Sequence, residues 1–266
     1  MRNLAATLAL ILAVLPGPAA AQKFAPHRAL YDMSLRSSER DSNIVSLRGE
    51  MMAEWGETCE AWTLEHRSSF EIDVGGEQTV RISTNIATWE ARDGLSYRFN
   101  VRNIERDGDE ERIEGSATLD GPGMGGMVRY VKPETKTMPL PAGTIFPTAH
   151  TEEVLGRAGE EPVSFKRIVF DGLSGDGLFE VSAVVGAPYP PAPVEREAAK
   201  PVAGMRAWPA HVAFFRYGGA DATPDNEVSF RTYGNGVSDD MIIDFGQFKV
   251  LAKLKALELG ARPTCK

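Results

Sequence analysis

Alternation of apolar and polar residues runs through most of this chain and limits the folds open to it. In "RALYDMSLR" (28–36), Tyr31, Met33 and Leu35 share one side of an extended strand, and the polar residues between them share the other. The same period of two recurs in "TVRISTNIATW" (79–89) and in "YRFNVR" (97–102). The pattern predicts many strands that each have one apolar face.

Turn signals separate these runs and favour antiparallel pairing. Asn-Gly or Asp-Gly pairs stand at 93–94, 107–108, 171–172, 176–177 and 235–236, and two glycines stand at 75–76. Such pairs between alternating runs are strong hairpin signals. Further strands are predicted at 44–54, 59–72, 112–119, 127–132, 163–170, 178–185, 205–215, 228–233 and 241–248. So many one-faced strands must curl to bury that face, which predicts a mainly β fold: a large barrel, a sandwich, or a curled sheet between the two.

One segment breaks the alternation and predicts a short helix at 148–157. Thr148 is a candidate N-cap, acidic residues follow in the first turns, and Gly156 or Gly159 ends the pattern. A short helix within a long series of strands suggests a plug for an open end of the sheet, which we state as a hypothesis.

Two other segments are less regular. Residues 249–259 alternate like a strand, but Leu251, Leu254 and Leu257 also suit a helix, so the pattern leaves both open. The stretch from Pro188 to Pro201 is dense in proline and predicts an extended, exposed loop.

The first 21 residues have the layout of a secretory signal peptide. Arg2 precedes an apolar run from Leu4 to Leu15, a Pro-Gly-Pro break follows, and small residues lead to Ala21. We predict cleavage between Ala21 and Gln22, and export to a bacterial periplasm. An N-terminal helix that stays in place is the alternative. The mature chain, 22–266, is predicted to be a single soluble domain, and no later run is long enough to cross a membrane.

The charge balance argues against a nucleic-acid partner. The chain has 29 Lys and Arg against 37 Asp and Glu, a net charge of −8. Binding to a phosphate backbone needs clustered basic residues, which the chain lacks.

Cys59 and Cys265 are the only cysteines. In an oxidising compartment two cysteines predict one disulfide, and it would close a loop of about 200 residues. Two cysteines are too few for a four-ligand structural zinc site, and no C-x-x-C suggests a redox role. A redox-sensing pair is the weaker alternative.

Motifs that carry chemistry are nearly absent. The four histidines, His27, His66, His150 and His211, show no metal-binding spacing, and each is interpreted as a structural residue. "GPGMGG" (121–126) matches a dinucleotide-binding pattern in letters, but a strand-like run follows it, so it predicts a glycine turn. We therefore predict no catalytic residue, no cofactor and no metal site.

Three function classes follow from this reading. Apolar strand faces without catalytic groups suggest binding of a lipid-like or protein partner inside the curled sheet. A hydrolase that uses a pair of unassigned Asp or Glu residues is the second class. A pure interaction module that binds through Pro188–Pro201 is the third.

Five separated segments resemble a known family. They are "PHRALYDMSL" (26–35), "EWGETCEAW" (54–62), "LPAGTIFPTAH" (140–150), "VSFRTYGNGVSDDMIIDFGQF" (228–248) and "PTC" (263–265). Together they resemble the EipB-type cell-envelope integrity family of Gram-negative bacteria, over essentially the whole mature chain.

The resemblance implies a periplasmic, long antiparallel β-spiral, or incompletely closed barrel, with a short helix near one opening. It also implies a Cys59–Cys265 disulfide, no established enzymatic activity, a role in maintaining the envelope, and a strand at 249–259.

Overall fold

The computed structural model describes residues 23–76, 78–105, 108–173, 176–190, 196–220 and 222–265. The predicted signal peptide and the cleavage pair Ala21 and Gln22 lie outside these ranges, so the export signal stays a prediction.

Strands make up most of the described chain. The first eight are β1 (His27–Ser38), β2 (Ser46–Glu57), β3 (Ala61–Asp73), β4 (Thr79–Ala91), β5 (Ser96–Glu105), β6 (Asp109–Leu119), β7 (Gly126–Lys132) and β8 (Lys136–Leu140). The others are β9 (Thr144–Ile145), β10 (Val163–Phe170), β11 (Leu178–Val185), β12 (Ala207–Arg216), β13 (Asn226–Tyr233), β14 (Ser238–Asp244) and β15 (Phe248–Leu259). Helix α1 (Pro147–Gly156) lies between β9 and β10.

All fifteen strands belong to one sheet that curls into a nearly closed barrel. The hydrogen-bonded order runs from β8 down to β1, continues to β15, and then runs down to β9. Neighbours are antiparallel except β9 and β10, which are parallel. The sheet has one unsealed seam, because β8 and β9 are the two ends of this order. The predicted fold class, an incompletely closed antiparallel barrel, is confirmed.

Period-two alternation produces the buried faces as predicted. In β1, Ala29, Tyr31 and Met33 are buried, whereas the residues between them point outward or are half-buried. In β5, the side chains of Tyr97 and Phe99 are only 1% and 2% exposed. These faces supply apolar clusters that line the inside of the curled sheet.

Aromatic rings pack across the seam region. Tyr97 and Phe99 of β5 and Tyr130 of β7 surround Phe170 at the end of β10, with ring centroids 5.6 to 6.4 Å from it. Phe146 stacks on Tyr97 at 5.1 Å. The Tyr97 hydroxyl donates a 2.8 Å hydrogen bond to the carbonyl of Asp171, just after β10. We call these five rings the seam cluster; side-chain packing joins the two halves of the sheet there.

Some element boundaries differ from the sequence prediction. The predicted strand 241–248 is wrong at its end: β14 stops at Asp244, and Gly246 takes a positive φ of 80° in the turn before β15. Strands β8 and β9 were not predicted. Residues 249–259, left open by the pattern, form a strand, as the family resemblance implied.

Both helical segments also differ from expectation. Helix α1 begins at Pro147, one residue early, and Thr148 is not its N-cap; Phe146 holds that position without a side-chain cap bond. The extended loop predicted for Pro188–Pro201 is wrong in its last part. Residues Glu197–Val202 form a 3₁₀ helix that lies against β15, and its Ala199 and Val202 are buried.

Cys59 and Cys265 form a disulfide, with Cα atoms 5.5 Å apart. It links the turn between β2 and β3 to the segment after β15. Arg262 supports the same junction, because it donates to Glu57 at 3.1 Å and to the carbonyl of Lys23 at 3.0 Å.

Candidate functional site

A buried carboxylate from the sheet holds helix α1. Glu90, near the end of β4, accepts hydrogen bonds from the backbone amides of Thr148 and Ala149 at 2.7 and 2.8 Å. These are first-turn amides, which have no partner inside a helix. Because a helix N-terminus attracts negative charge, Glu90 replaces the missing local cap and fixes α1 to the sheet.

Two further contacts fix the orientation of α1. The indole nitrogen of Trp62, on β3, donates to Glu152 at 3.1 Å. On another side, the Arg167 guanidinium of β10 donates to Glu153 at 2.7 Å. The helix is therefore tied to both halves of the sheet and closes over its interior.

Beside α1 lies a cavity of about 340 Å³, which we call the lumen cavity. Its walls are α1, strands β1 to β3 and strands β12 to β14. The apolar residues that line it are Phe24, Met51, Ala53, Trp55, Leu64, Val154, Leu155, Val212, Phe214, Val228, Phe230, Met241 and Ile243. Alternate residues of each strand face it, so the cavity is a direct product of the period-two pattern.

Few polar residues line the cavity, and none of those described is Asp, Glu, Lys or Arg. They are His27, Tyr31, His66, His150, Thr151, Thr232 and Ser238. Burial lowers the pKa of His66 and of His150 to about 4, and it also lowers the pKa of His27. These three imidazoles are neutral at neutral pH.

The convergence of these histidines is what sequence reasoning missed. Treated singly, His27, His66 and His150 suggest unrelated structural residues, yet the curl of the sheet brings all three to one cavity. The sequence does contain a partial signal, because alternate residues of a strand share one face. His27 therefore lies on the same face as Tyr31, and His66 lies on the same face as Leu64. The fourth, His211, lies on the opposite face of β12 and contacts Ser229 at 2.8 Å.

In the part of the chain that the structure describes, no group of three or more His, Cys, Asp or Glu side chains is placed to hold a metal ion. The same residues include no helix with the length and hydropathy to cross a membrane. The glycine motif at 121–126 forms the turn between β6 and β7, where the Asp120 amide donates to the Gly125 carbonyl.

A second depression, of about 440 Å³, lies on the other face of β12 and β13. Its lining includes Pro209 and Arg231, which alternate with the residues that face the lumen cavity. Arg231 stacks on Tyr189 at 4.7 Å and lies 3.8 Å from Asp240, so its charged group already has partners. This depression has one sheet layer as its wall, whereas the lumen cavity has walls on several sides. We take the lumen cavity as the candidate site.

The fold and this site define a class of protein: a nearly closed antiparallel barrel with an apolar interior cavity beside a short helix. Comparison with known proteins shows the family. The profile of the EipB-like family matches residues 18–260. The cell envelope integrity protein EipB of Brucella abortus is 31% identical over 247 residues, which cover 91% of this chain and 86% of that protein. The chain belongs to the EipB-like family.

A solved structure supports the same assignment. The crystal structure of a beta-barrel-like protein of a domain of unknown function from Brucella abortus matches with a TM-score of 0.81 and 29% identity. The match covers 91% of this chain and 100% of that chain. The resemblance predicted from the five sequence segments is therefore confirmed.

The buried cap on α1 predicts a specific pH dependence. Burial raises the pKa of Glu90 to about 7, against its two amide hydrogen bonds, which lower it. The folded chain then binds more protons than the unfolded chain between pH 4.5 and about 7, so this group's contribution to the free energy of unfolding falls as pH rises through that window. In Glu90→Gln nothing titrates at this position. The free energy of unfolding of Glu90→Gln, taken relative to that of the parent chain, should therefore rise by up to about 3 kcal/mol as pH increases from 4.5 to about 7.

Urea unfolding at several pH values measures this difference. The control is Glu65→Gln, which removes one carboxylate from the exposed side of β3, 56% exposed, and so reports the effect of net charge. A Glu90→Gln difference that is flat with pH, or that follows the control, would show that Glu90 titrates normally.

Proposed function

We propose that the mature chain, 22–266, is a single-domain periplasmic protein that helps to maintain the cell envelope and acts without catalysis. It does so by binding an apolar ligand in the lumen cavity. The observation that carries the ligand proposal is the cavity itself, with its apolar walls and its fixed helix.

Envelope function and location are supported by several independent features. The relative EipB is named as a cell envelope integrity protein. The first 21 residues have the layout of an export signal, and a structural disulfide suits an oxidising compartment outside the cytoplasm.

The chemistry of the lining supports binding rather than hydrolysis. Glycosidase-type hydrolysis needs two carboxylates on either side of the scissile bond. Among the described residues, no Asp or Glu lines the lumen cavity, and Asp240 is the only acid in the second depression. The cavity's volume of about 340 Å³ falls within the range of small-molecule sites.

The interaction-module hypothesis receives less support from the structure. The described end of the Pro188–Pro201 segment is anchored, because Arg196 pairs with the fully buried Asp239 and Ala199 packs in the core. An anchored segment offers less free chain to a partner than an extended loop.

A filled-cavity variant tests ligand binding. Ala53 lines the cavity and is the cross-strand neighbour of His66 on the adjacent strand. A tryptophan at this position should therefore fill much of the cavity volume. The purified mature chain should enhance the fluorescence of the apolar probe N-phenylnaphthylamine, and Ala53→Trp should lose at least about tenfold in probe affinity. Ala87→Trp is the matched control: the same substitution on the exposed side of β4, with binding unchanged.

A complementation experiment tests whether ligand binding is needed for the envelope function. In the source bacterium without this gene, sensitivity to detergent should be corrected by the parent chain and by Ala87→Trp, but not by Ala53→Trp. Urea unfolding checks that both variants are folded. A folded Ala53→Trp that binds the probe like the parent would rule out the lumen cavity as the site. One that has lost probe binding and still corrects the defect would show that envelope function does not depend on the cavity.

A further inference from the structure

One imidazole of the lumen cavity has no partner in the protein wall. His66, in the middle of β3, lines the cavity, and among the described residues it makes no hydrogen bond, ion pair or ring contact. Its cross-strand neighbours are Ala53 of β2 and Ile86 of β4, whose side chains are apolar. An imidazole placed in such a wall without a partner costs free energy, so His66 calls for a group supplied from the cavity.

The ring nitrogens of His66 are within reach of a ligand. The residue is half-buried, and neither nitrogen is sealed from solvent, in contrast to Nε2 of His150. The side chain lies on the inner face of β3 together with Leu64, so the surface that it keeps faces the lumen.

The other two histidines of the lining have less free capacity. Nδ1 of His27 lies 2.8 Å from a backbone carbonyl, to which it donates. Nε2 of His150 is sealed within the protein. Each of these residues therefore keeps one nitrogen at most for a ligand, whereas His66 keeps both.

The hydroxyl groups of the lining are mostly engaged with the backbone. Those of Tyr31 and Thr151 donate to carbonyls at 2.9 Å, and that of Thr232 donates to one at 3.5 Å. The Ser238 hydroxyl has no partner among the described residues. A serine side chain is short enough to bond to nearby backbone groups by rotation, which the ring of His66 is not.

The lining offers no opposite charge to an ionic ligand. None of its described residues is Asp, Glu, Lys or Arg. Burial lowers the pKa of His66 to about 4, so at pH 7 only about one molecule in a thousand carries an imidazolium there that could pair with an anion. A charged group beside His66 would lose its hydration without gaining a counter-charge, which is strongly unfavourable.

We propose that the lumen cavity binds an apolar molecule with an uncharged head, a hydroxyl group that hydrogen-bonds to the imidazole of His66. This inference rests on the proposed binding in the lumen cavity. A neutral imidazole donates through one nitrogen and accepts through the other, and a hydroxyl can serve either role. The apolar part of the ligand would lie against neighbouring lining residues such as Met51 and Leu64.

Three probes of equal chain length test the preference for an uncharged head. Decanol, decanoate and decyltrimethylammonium carry an uncharged, a negative and a positive head. At about pH 8, decanol should displace N-phenylnaphthylamine from the parent chain at least about tenfold more effectively than either ion.

Substitutions of His66 test the hydrogen bond, and the quantity compared is the ratio of decanol affinity to fluorescent-probe affinity. His66→Phe keeps a planar ring on the inner face of β3 but removes both nitrogens, so this ratio should fall roughly 3- to 10-fold. His66→Gln returns a donor and an acceptor and should recover part of the loss. Ser238→Ala removes the other unpartnered group, and His211→Phe removes a histidine outside the lumen cavity. Both controls should leave the ratio within about twofold of the parent value.

The outcomes separate this inference from the function on which it rests. Failure of the fluorescent probe to bind the folded parent chain overturns ligand binding altogether. Probe binding with equal displacement by decanol and the ions overturns the preference for an uncharged head and leaves the proposed function standing. An unchanged ratio in His66→Phe, or a larger loss in Ser238→Ala, overturns the role of His66.

Discussion

Replacing either cysteine of the disulfide by serine should lower the free energy of unfolding substantially. Cys59 and Cys265 are 206 residues apart in sequence, and for a loop of that length the chain-entropy model gives a loss of about 5 kcal/mol. We expect a smaller loss, because Arg262 also holds the end of the chain. It contacts Glu57, whose side chain is 5% exposed and also pairs with Arg92. For a chain of this size each kcal/mol corresponds to about 2–4 °C in Tm.

Thermal unfolding of Cys59→Ser, Cys265→Ser and the double variant measures this effect. All three should lose about the same amount, since each breaks the same bond. The parent chain under reducing conditions is the control and should match them. Losses that add up in the double variant would mean that the two sulfur atoms stabilise the fold separately.

Removing one ring of the seam cluster should have an effect of similar size. Phe170 is fully buried, with Tyr97, Phe99 and Tyr130 around it. Deleting a buried phenylalanine side chain costs about 3–5 kcal/mol, because apolar burial is lost and a cavity remains. In Phe170→Ala this cavity would lie where side-chain packing joins the two halves of the sheet.

Urea unfolding gives the total loss, and hydrogen exchange locates it. Amides of β8 and β10 should exchange faster relative to those of β1 and β15, because the variant loosens the seam first. Phe245→Ala is the control: Phe245 is 43% exposed, and the change should stay within about 0.5 kcal/mol. A loss below about 1 kcal/mol in Phe170→Ala would contradict the role of the rings at the seam.

Regular alternation made most of the fold predictable from sequence. Strands β10 and β11 match their predicted ranges, 163–170 and 178–185, because each is rich in valine and phenylalanine and is followed closely by a glycine. The failures have local causes. Phe245 continues the parity of Met241 and Ile243 into a turn, so the prediction extends the strand too far. Strand β8 contains Pro139, which an edge strand tolerates but which argues against a strand in a sequence pattern.

The candidate site was less predictable because it depends on contacts between distant segments. Glu90 caps a helix that begins 57 residues later, so no local motif reveals it. His27, His66 and His150 come together at one cavity only because the sheet curls. The 3₁₀ helix was missed because dense proline predicts extended chain, whereas Ala199 and Val202 find a buried place against β15.

The strand order separates the ends of the sheet from the ends of the chain. Strands β1 and β15 pair in the middle of the sheet, along Tyr31–Leu254 and Met33–Ala252, whereas the open edges fall near residue 142, halfway along the chain. Two series of hairpins, β1 to β8 and β10 to β15, can therefore assemble from strands that are neighbours in the sequence. Strand β15 completes the second series by pairing with β14, and its pairing with β1 is the one that joins the two series. A chain cut short before residue 248 would leave two unjoined half-sheets, each with an additional exposed edge that invites aggregation.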